Sequence, residues 1–75
     1  MVKYVDDMGR LVVISSGISR GEEYMSFRVK KSGSLQRIKS KWLPIRNTRI
    51  EAQEDLARYA EEMRWAIADI EEDYE

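Results

Sequence analysis

The centre of the chain alternates apolar and polar side chains in two runs that are separated by a glycine-containing turn. In the first run, Met25, Phe27 and Val29 alternate with polar and basic residues. In the second run, Ile38 and Trp42 share one parity, and basic residues occupy the other. Successive side chains of a β-strand point to opposite faces of the sheet. The pattern therefore predicts a β-hairpin with one apolar face and one basic face.

A further hairpin is predicted at the N-terminus. The sequence D-D-M-G at 6–9 has the composition of a turn, and its glycine tolerates a left-handed conformation. This turn separates a short strand at Val2–Val5 from a second strand at 10–16. Leu11 to Ile14 form a continuous apolar run, which is typical of an inner strand. Residues 15–23 are rich in serine and glycine and predict a loop that leads to the central hairpin.

A helix is predicted to follow the sheet. Pro44 has no amide hydrogen and should end the preceding strand. Thr48 and Glu51 then form a T-x-x-E capping box, the usual start of a helix. Apolar residues recur at helical spacing beyond this point. They are Ala52, Leu56, Tyr59, Ala60, Met63, Ile67 and Ile70.

The predicted fold is a single α+β domain over residues 1–75. A three- to four-stranded antiparallel sheet at 2–42 packs on one C-terminal helix at 49–73, in the order β-β-β-β-α. This helix would be about 37 Å long, whereas a strand of seven residues covers only about 23 Å. Its end, with Trp65, Ile67 and Ile70, could pack on the N-terminal hairpin, on a second copy of the chain, or on a further domain.

Composition excludes several classes of function. The chain has 75 residues, of which 43% are hydrophobic and 36% charged, without a long uncharged apolar run. This composition predicts a folded domain with no membrane span. Because cysteine and histidine are absent, the chain lacks disulfides, thiolate or imidazole metal ligands, and a Ser-His or Cys-His nucleophile. We expect no enzymatic activity and no cofactor. No signal-peptide pattern is present, which predicts a cytoplasmic protein.

The charges are segregated along the chain. Residues 1–19 are balanced, residues 20–49 carry nine basic and two acidic groups, and residues 50–75 carry two basic and ten acidic groups. Segregation of this kind is typical of a protein in which one surface meets an anionic partner. Alternatively, the basic sheet and the acidic helix attract each other within the molecule.

The basic face of the central hairpin is a candidate DNA-binding surface. Its side chains are of the types that contact phosphates and base edges, and a two-stranded ribbon fits a major groove about 12 Å wide. The candidate contacts are Tyr24, Ser26, Arg28, Lys30, Arg37, Lys39 and Lys41. A solvated strand face is also commonly rich in lysine, so this alternative stays open. RNA is the weakest alternative, because only Tyr24 is available for base stacking.

Part of the chain resembles a known family of DNA-binding domains. The matching residues are F-R-V-K-K-S-G-S-L-Q-R-I-K-S-K-W at 27–42 and T-R-I-E-A-Q-E-D-L at 48–56. They are similar to the AP2-like, or arm-type, domain of phage and transposon tyrosine integrases. Members have an aromatic residue that closes the last strand, here Trp42, and a threonine cap followed by Glu-Ala.

The resemblance implies a module from a mobile element that lays its sheet face into the major groove of double-stranded DNA. The basic residues of the candidate set would make the contacts. No strand-cleaving chemistry is implied, because the recombinase catalytic domain is absent. The alternative is a protein-interaction or assembly module that uses the apolar end of the helix around Trp65, Ile67 and Ile70, as a homodimer or with a further domain.

Overall fold

The computed structural model describes residues 2–16 and 23–70. The elements in chain order are β1 (Val2–Val5), β2 (Leu11–Ser16), β3 (Tyr24–Val29), β4 (Leu35–Arg37), α1 (Arg49–Met63) and β5 (Ala66–Ile70). The strands form one antiparallel sheet in the order β4-β3-β2-β1-β5, and α1 packs on one of its faces. The predicted α+β architecture is confirmed, with one strand more than expected. Most of the predicted loop at 15–23 lies outside the described residues.

The start of α1 agrees with the predicted cap. Thr48 has extended backbone angles, and its hydroxyl oxygen accepts the N–H of Glu51 at 3.2 Å. The hydroxyl in turn donates to the Glu51 carboxylate at 3.0 Å. Ala52, Leu56 and Ala60 follow on one side of the helix and are buried. The local sequence therefore determines both where the helix begins and which side of it packs on the sheet.

The predicted end of the helix is wrong, because α1 stops at Met63 instead of continuing to 73. Arg64 is left-handed, with φ of 61° and ψ of 37°. Its N–H donates to the Glu61 carbonyl at 3.2 Å, and the Trp65 N–H donates to the Ala60 carbonyl at 2.9 Å. These two bonds form a Schellman motif, which satisfies the last carbonyls of a helix and reverses the chain. Residues 71–73 of the predicted helix lie outside the described residues.

After this reversal the chain returns as β5 along the outer side of β1. Lys3 pairs with Asp69 and Tyr4 with Ile67, so Ala68 is an extra residue that forms a bulge in β5. The predicted overhang of a long helix therefore does not exist. The 15-residue helix spans about 22 Å, which matches the strands beneath it.

The second arm of the central hairpin is also shorter than predicted. Strand β4 ends at Arg37 instead of Trp42. The chain then turns, with the Leu43 N–H donating to the Ser40 carbonyl at 3.0 Å, and Leu43 enters the core. Trp42 stands on this turn with 65% of its surface exposed. Its predicted place on the apolar strand face is therefore wrong.

Helix α1 covers the sheet face that the strand pattern assigned to solvent. Val12 and Ile14 are buried in the core beneath the helix. Their cross-strand partners are Arg28 and Ser26, and paired residues share a face. Ser26 is accordingly only 2% exposed. The predicted separation of an apolar, covered face from a basic, open face is thus inverted in β3.

A partly buried ion pair accommodates the cation on the covered face. The Asp6 Oδ2 accepts from Arg28 Nε at 2.7 Å, and its Oδ1 accepts the N–H groups of Met8 and Arg10, both at 2.9 Å. Burial by itself would raise the pKa of Asp6. The hydrogen bonds from Arg10, Arg28 and Met8 and the charge of Arg28 outweigh burial and hold this pKa below its ordinary value.

The Asp6→Asn substitution should lower the free energy of unfolding at pH 7 by about 1–3 kcal/mol, because the Arg28 charge loses its partner. In the wild type, a lowered pKa means that this stabilisation is present above about pH 4 and disappears as the pH falls through the folded-state pKa. Urea unfolding at pH 7 and pH 3 would measure both effects. The exposed neighbour provides the control, Asp7→Asn; equal losses in the two variants would contradict the role of Asp6.

The Arg64→Gly substitution should stabilise the protein by roughly 0.5–1 kcal/mol, because glycine adopts the left-handed conformation without a Cβ clash. Arg64→Ala, which keeps the Cβ atom, should not stabilise. If residues 64–70 instead continued the helix, glycine would cost about 1 kcal/mol relative to alanine. Thermal or urea unfolding of the two variants therefore distinguishes a chain reversal from a continuous helix by the sign of the difference.

Candidate nucleic-acid interface

Three of the seven predicted contact residues are used inside the domain. Tyr24 packs against the core, and the Arg49 guanidinium lies 5.0 Å from the centre of its ring. Ser26 is buried beneath α1, and Arg28 is held by Asp6. The prediction that these side chains form an open sheet face is wrong. The register of β2 and β3 places them beneath the helix.

The other four residues lie along one edge of the sheet. Lys30 begins the turn between β3 and β4, where the Gly33 N–H donates to its carbonyl at 2.9 Å. Arg37 ends β4, and Lys39 and Lys41 follow it, both exposed. Lys31 is also exposed in the turn. Its position in the turn gave no strand parity, so the sequence pattern did not select it.

We call these five cations the basic edge: Lys30, Lys31, Arg37, Lys39 and Lys41. Residues 30–41 contain no carboxylate, and within the described parts of the chain none of the five makes an ion pair. The Nε atom of Arg37 is buried and has no hydrogen-bond partner among the described residues. The basic edge therefore carries uncompensated positive charge.

Most of the exposed carboxylates among the described residues lie on α1, and they are Glu51, Glu54, Glu61 and Glu62. Asp7, in the turn between β1 and β2, and Asp69, on β5, are exposed as well. The helix therefore carries most of the exposed negative charge, and residues 30–41 carry none. The sequence also allowed the basic segment and the acidic helix to attract each other within the molecule. Arg46 does form such an ion pair with the helix, and the cations of the basic edge do not.

Arg46 fixes the segment that follows the basic edge. Its backbone exchanges hydrogen bonds of 2.7 and 2.9 Å with Tyr24. Its guanidinium donates to the buried Asp55 carboxylate, at 2.7 Å from Nε and 3.3 Å from Nη2, which raises the pKa of Arg46 above its ordinary value. A paired contact of this kind fixes orientation as well as distance. The turn that carries Trp42 is therefore held against α1.

A groove of about 550 Å³ lies between this turn and α1. Its lining residues are Trp42, Asp55, Arg58, Tyr59, Glu62 and Met63. The ammonium of Lys41 is 5.0 Å from the centre of the Trp42 ring. The groove thus begins where the basic edge ends, and it combines aromatic and apolar walls with exposed polar groups at its rim.

The sheet face opposite α1 is largely apolar, with Arg37 beside Phe27 at its β4 end. Cross-strand pairs on this face join Val5 to Leu11, Val13 to Phe27 and Val29 to Leu35. No helix or strand among the described residues packs on it. On β5, Ile67 and Ile70 are exposed. Trp65, by contrast, packs edge-on against Tyr59 with ring centres 5.4 Å apart and lies against the core. Of the alternatives given for this end of the chain, packing on the N-terminal hairpin is the one observed, through the pairing of β5 with β1.

Comparisons with known proteins give no relative: no family model, no curated protein and no solved structure matches this chain. The resemblance to the arm-type domain of integrases therefore stays a prediction. Over residues 2–16 and 23–70, no cluster of acidic side chains is arranged to hold a metal ion. The helix in this part of the chain is too short and too polar to cross a bilayer.

Proposed function

We propose that the chain is a DNA-binding module, without catalytic activity, whose contact surface is the basic edge. The observation that supports the proposal is the set of five uncompensated cations within residues 30–41. Lysine and arginine side chains bind phosphates and release counterions, which supplies most of the affinity of sequence-independent DNA binding. The other cations described between residues 23 and 49 are engaged within the fold: Arg28 with Asp6, Arg46 with Asp55, and Arg49 with the ring of Tyr24.

In this proposal the hairpin of β3 and β4 approaches DNA with its edge instead of its face. Lys30 and Lys31 lie at the turn, and Lys39 and Lys41 lie beyond the other end of β4. The two pairs can therefore contact phosphates at separate positions along a strand. Serine and glutamine side chains between them supply neutral hydrogen-bond donors. The proposed partner, DNA, is the one that the sequence resemblance implies. The proposed contact surface differs, because it is the edge of the hairpin and not its face.

The Lys39→Glu substitution should weaken binding to a mixed-sequence duplex and reduce the salt slope by about 1, because one phosphate contact is lost. The wild-type slope of log K against log salt should be about −4 to −5 for five contacts. Fluorescence anisotropy with a labelled duplex at several salt concentrations would measure both.

The matched control is Arg64→Glu, which also changes the net charge from −1 to −3 and lies at an exposed site after α1. It should leave affinity nearly unchanged. Equal effects of the two substitutions would mean that only total charge matters, and the basic edge would then not be the site.

A second candidate function is self-assembly through β5. This strand ends the sheet, and all five of its side chains are exposed. It carries one charge, Asp69, and no proline or lysine of the kind that usually protects an edge strand. Two copies could pair their β5 strands about a two-fold axis and extend the sheet across the dimer. The bulge at Ala68 would limit the length of this pairing.

For the assembly function, Ile70→Glu should abolish a concentration-dependent dimer in sedimentation equilibrium, because it places a charge in the paired edge. Ile50→Glu introduces the same charge at another exposed isoleucine, on α1, and should leave the dimer intact. A wild-type chain that stays monomeric at millimolar concentration would exclude this function.

A further inference from the structure

We propose that the groove between Trp42 and α1 binds an unpaired nucleobase, so that the chain prefers single-stranded over double-stranded DNA. This inference rests on the proposed function and names its ligand more closely. Nothing in the sequence pattern indicated it, because Trp42 was expected on the covered side of a strand.

Trp42 has the properties of a stacking platform. It is 65% exposed, although indole is among the side chains that gain most from burial. The backbone at Trp42 is ordered before binding, because the neighbouring Leu43 is buried in the core and Arg46 is bound to Asp55 of the helix, which limits the entropy lost by the backbone. Stacking on an aromatic ring is open to every base, and it typically contributes about 5- to 150-fold in affinity for each base.

The remaining walls of the groove suit a nucleobase in size and chemistry. A volume of about 550 Å³ lies within the usual range for small-molecule sites, about 300–1,000 Å³. Tyr59 and Met63 supply apolar surface, and Arg58 and Glu62 on the exposed side of α1 supply a hydrogen-bond donor and an acceptor. A base offers amino groups and carbonyl oxygens that complement these two side chains. The Asp55 carboxylate is occupied by Arg46 and by Arg58, whose Nη1 lies 3.6 Å from Oδ1, so Arg58 would donate to a base from its other N–H groups.

Charge complementarity orients the nucleotide. Lys41 places its ammonium 5.0 Å from the Trp42 ring centre, and Lys39 precedes it on the basic edge. The phosphates of a strand would therefore follow the cations of residues 30–41, while the neutral base turns into the groove beside the acidic helix. The groove itself is lined by Glu62 and Asp55 as well as by Arg58, so it suits a neutral base better than a phosphate.

The arrangement distinguishes single strands from duplexes. In a duplex each base is stacked between neighbours and paired with its partner, so its face cannot contact an indole ring. In a single strand the same base can rotate out of the stack at little cost. The basic edge would bind both forms, and the groove only the flexible one.

The test compares a labelled oligothymidylate with a mixed-sequence duplex of equal length in anisotropy titrations of four proteins: the wild type, Trp42→Ala, Ile50→Ala and Lys39→Glu. The wild type should bind the single strand more tightly. Trp42→Ala should weaken single-strand binding by about 10-fold or more and leave duplex binding within about 2-fold. Ile50→Ala, which removes an exposed apolar side chain of α1 outside the groove, should change neither. Oligothymidylate should also quench tryptophan fluorescence in the wild type and not in Trp42→Ala.

The outcomes separate the two proposals. Equal affinity for both ligands, or an unchanged single-strand affinity in Trp42→Ala, would overturn the groove inference while Lys39→Glu still reports on the basic edge. If the wild type binds neither ligand, or if Lys39→Glu leaves the binding of both unchanged, the proposed function fails and the groove inference fails with it. Because Trp42 is largely exposed, its removal should not unfold the domain, and circular dichroism of each variant would verify this.

Discussion

The domain depends on the ion pair between Asp6 and Arg28. One oxygen of Asp6 closes the turn between β1 and β2 through the N–H groups of Met8 and Arg10, and the other neutralises the guanidinium that β3 places beneath the helix. Without this carboxylate, a cation would lie partly buried and unpaired, which destabilises the fold because its charge is not compensated. The pair therefore permits α1 to cover the face that carries Arg28.

The location of the other cations follows from this choice of face. Once Ser26 and Arg28 lie beneath α1, the apolar residues of β3 point to the opposite side, next to Val13 and Leu35. Among the described residues, the cations of the sheet that are free to meet a ligand lie at its margin, in the turn after β3 and in the residues around β4. The segment after β4 is joined to the helix by the contact between Arg46 and Asp55, and Trp42 lies exposed on this segment.

The two ends of the sheet consequently differ in chemistry. The β4 end carries the basic edge and the aromatic groove, which together suit a polyanion with exposed bases. The β5 end carries exposed isoleucines and one aspartate, which suit another strand. Because β3, β2 and β1 separate these ends, a ligand at one would not obstruct contact at the other, so the proposed DNA binding and the proposed self-assembly do not exclude each other.

The sequence by itself determined the local features of this protein: the hairpin turns, the Thr48 cap and the buried side of α1, each of which depends on neighbouring residues. Tertiary structure alone decided which sheet face is covered, because the run from Leu11 to Ile14 is apolar at both parities and packs equally well either way. Tertiary structure also decided where the helix ends. Ile67 and Ile70 fit a helical stripe as well as a strand, and the left-handed position after the helix is occupied by Arg64 instead of the glycine that usually marks a helix end. These two features determine the position of the candidate site. The alternation along a strand shows that its two faces differ in polarity, whereas the element that packs on one face determines which side chains stay exposed.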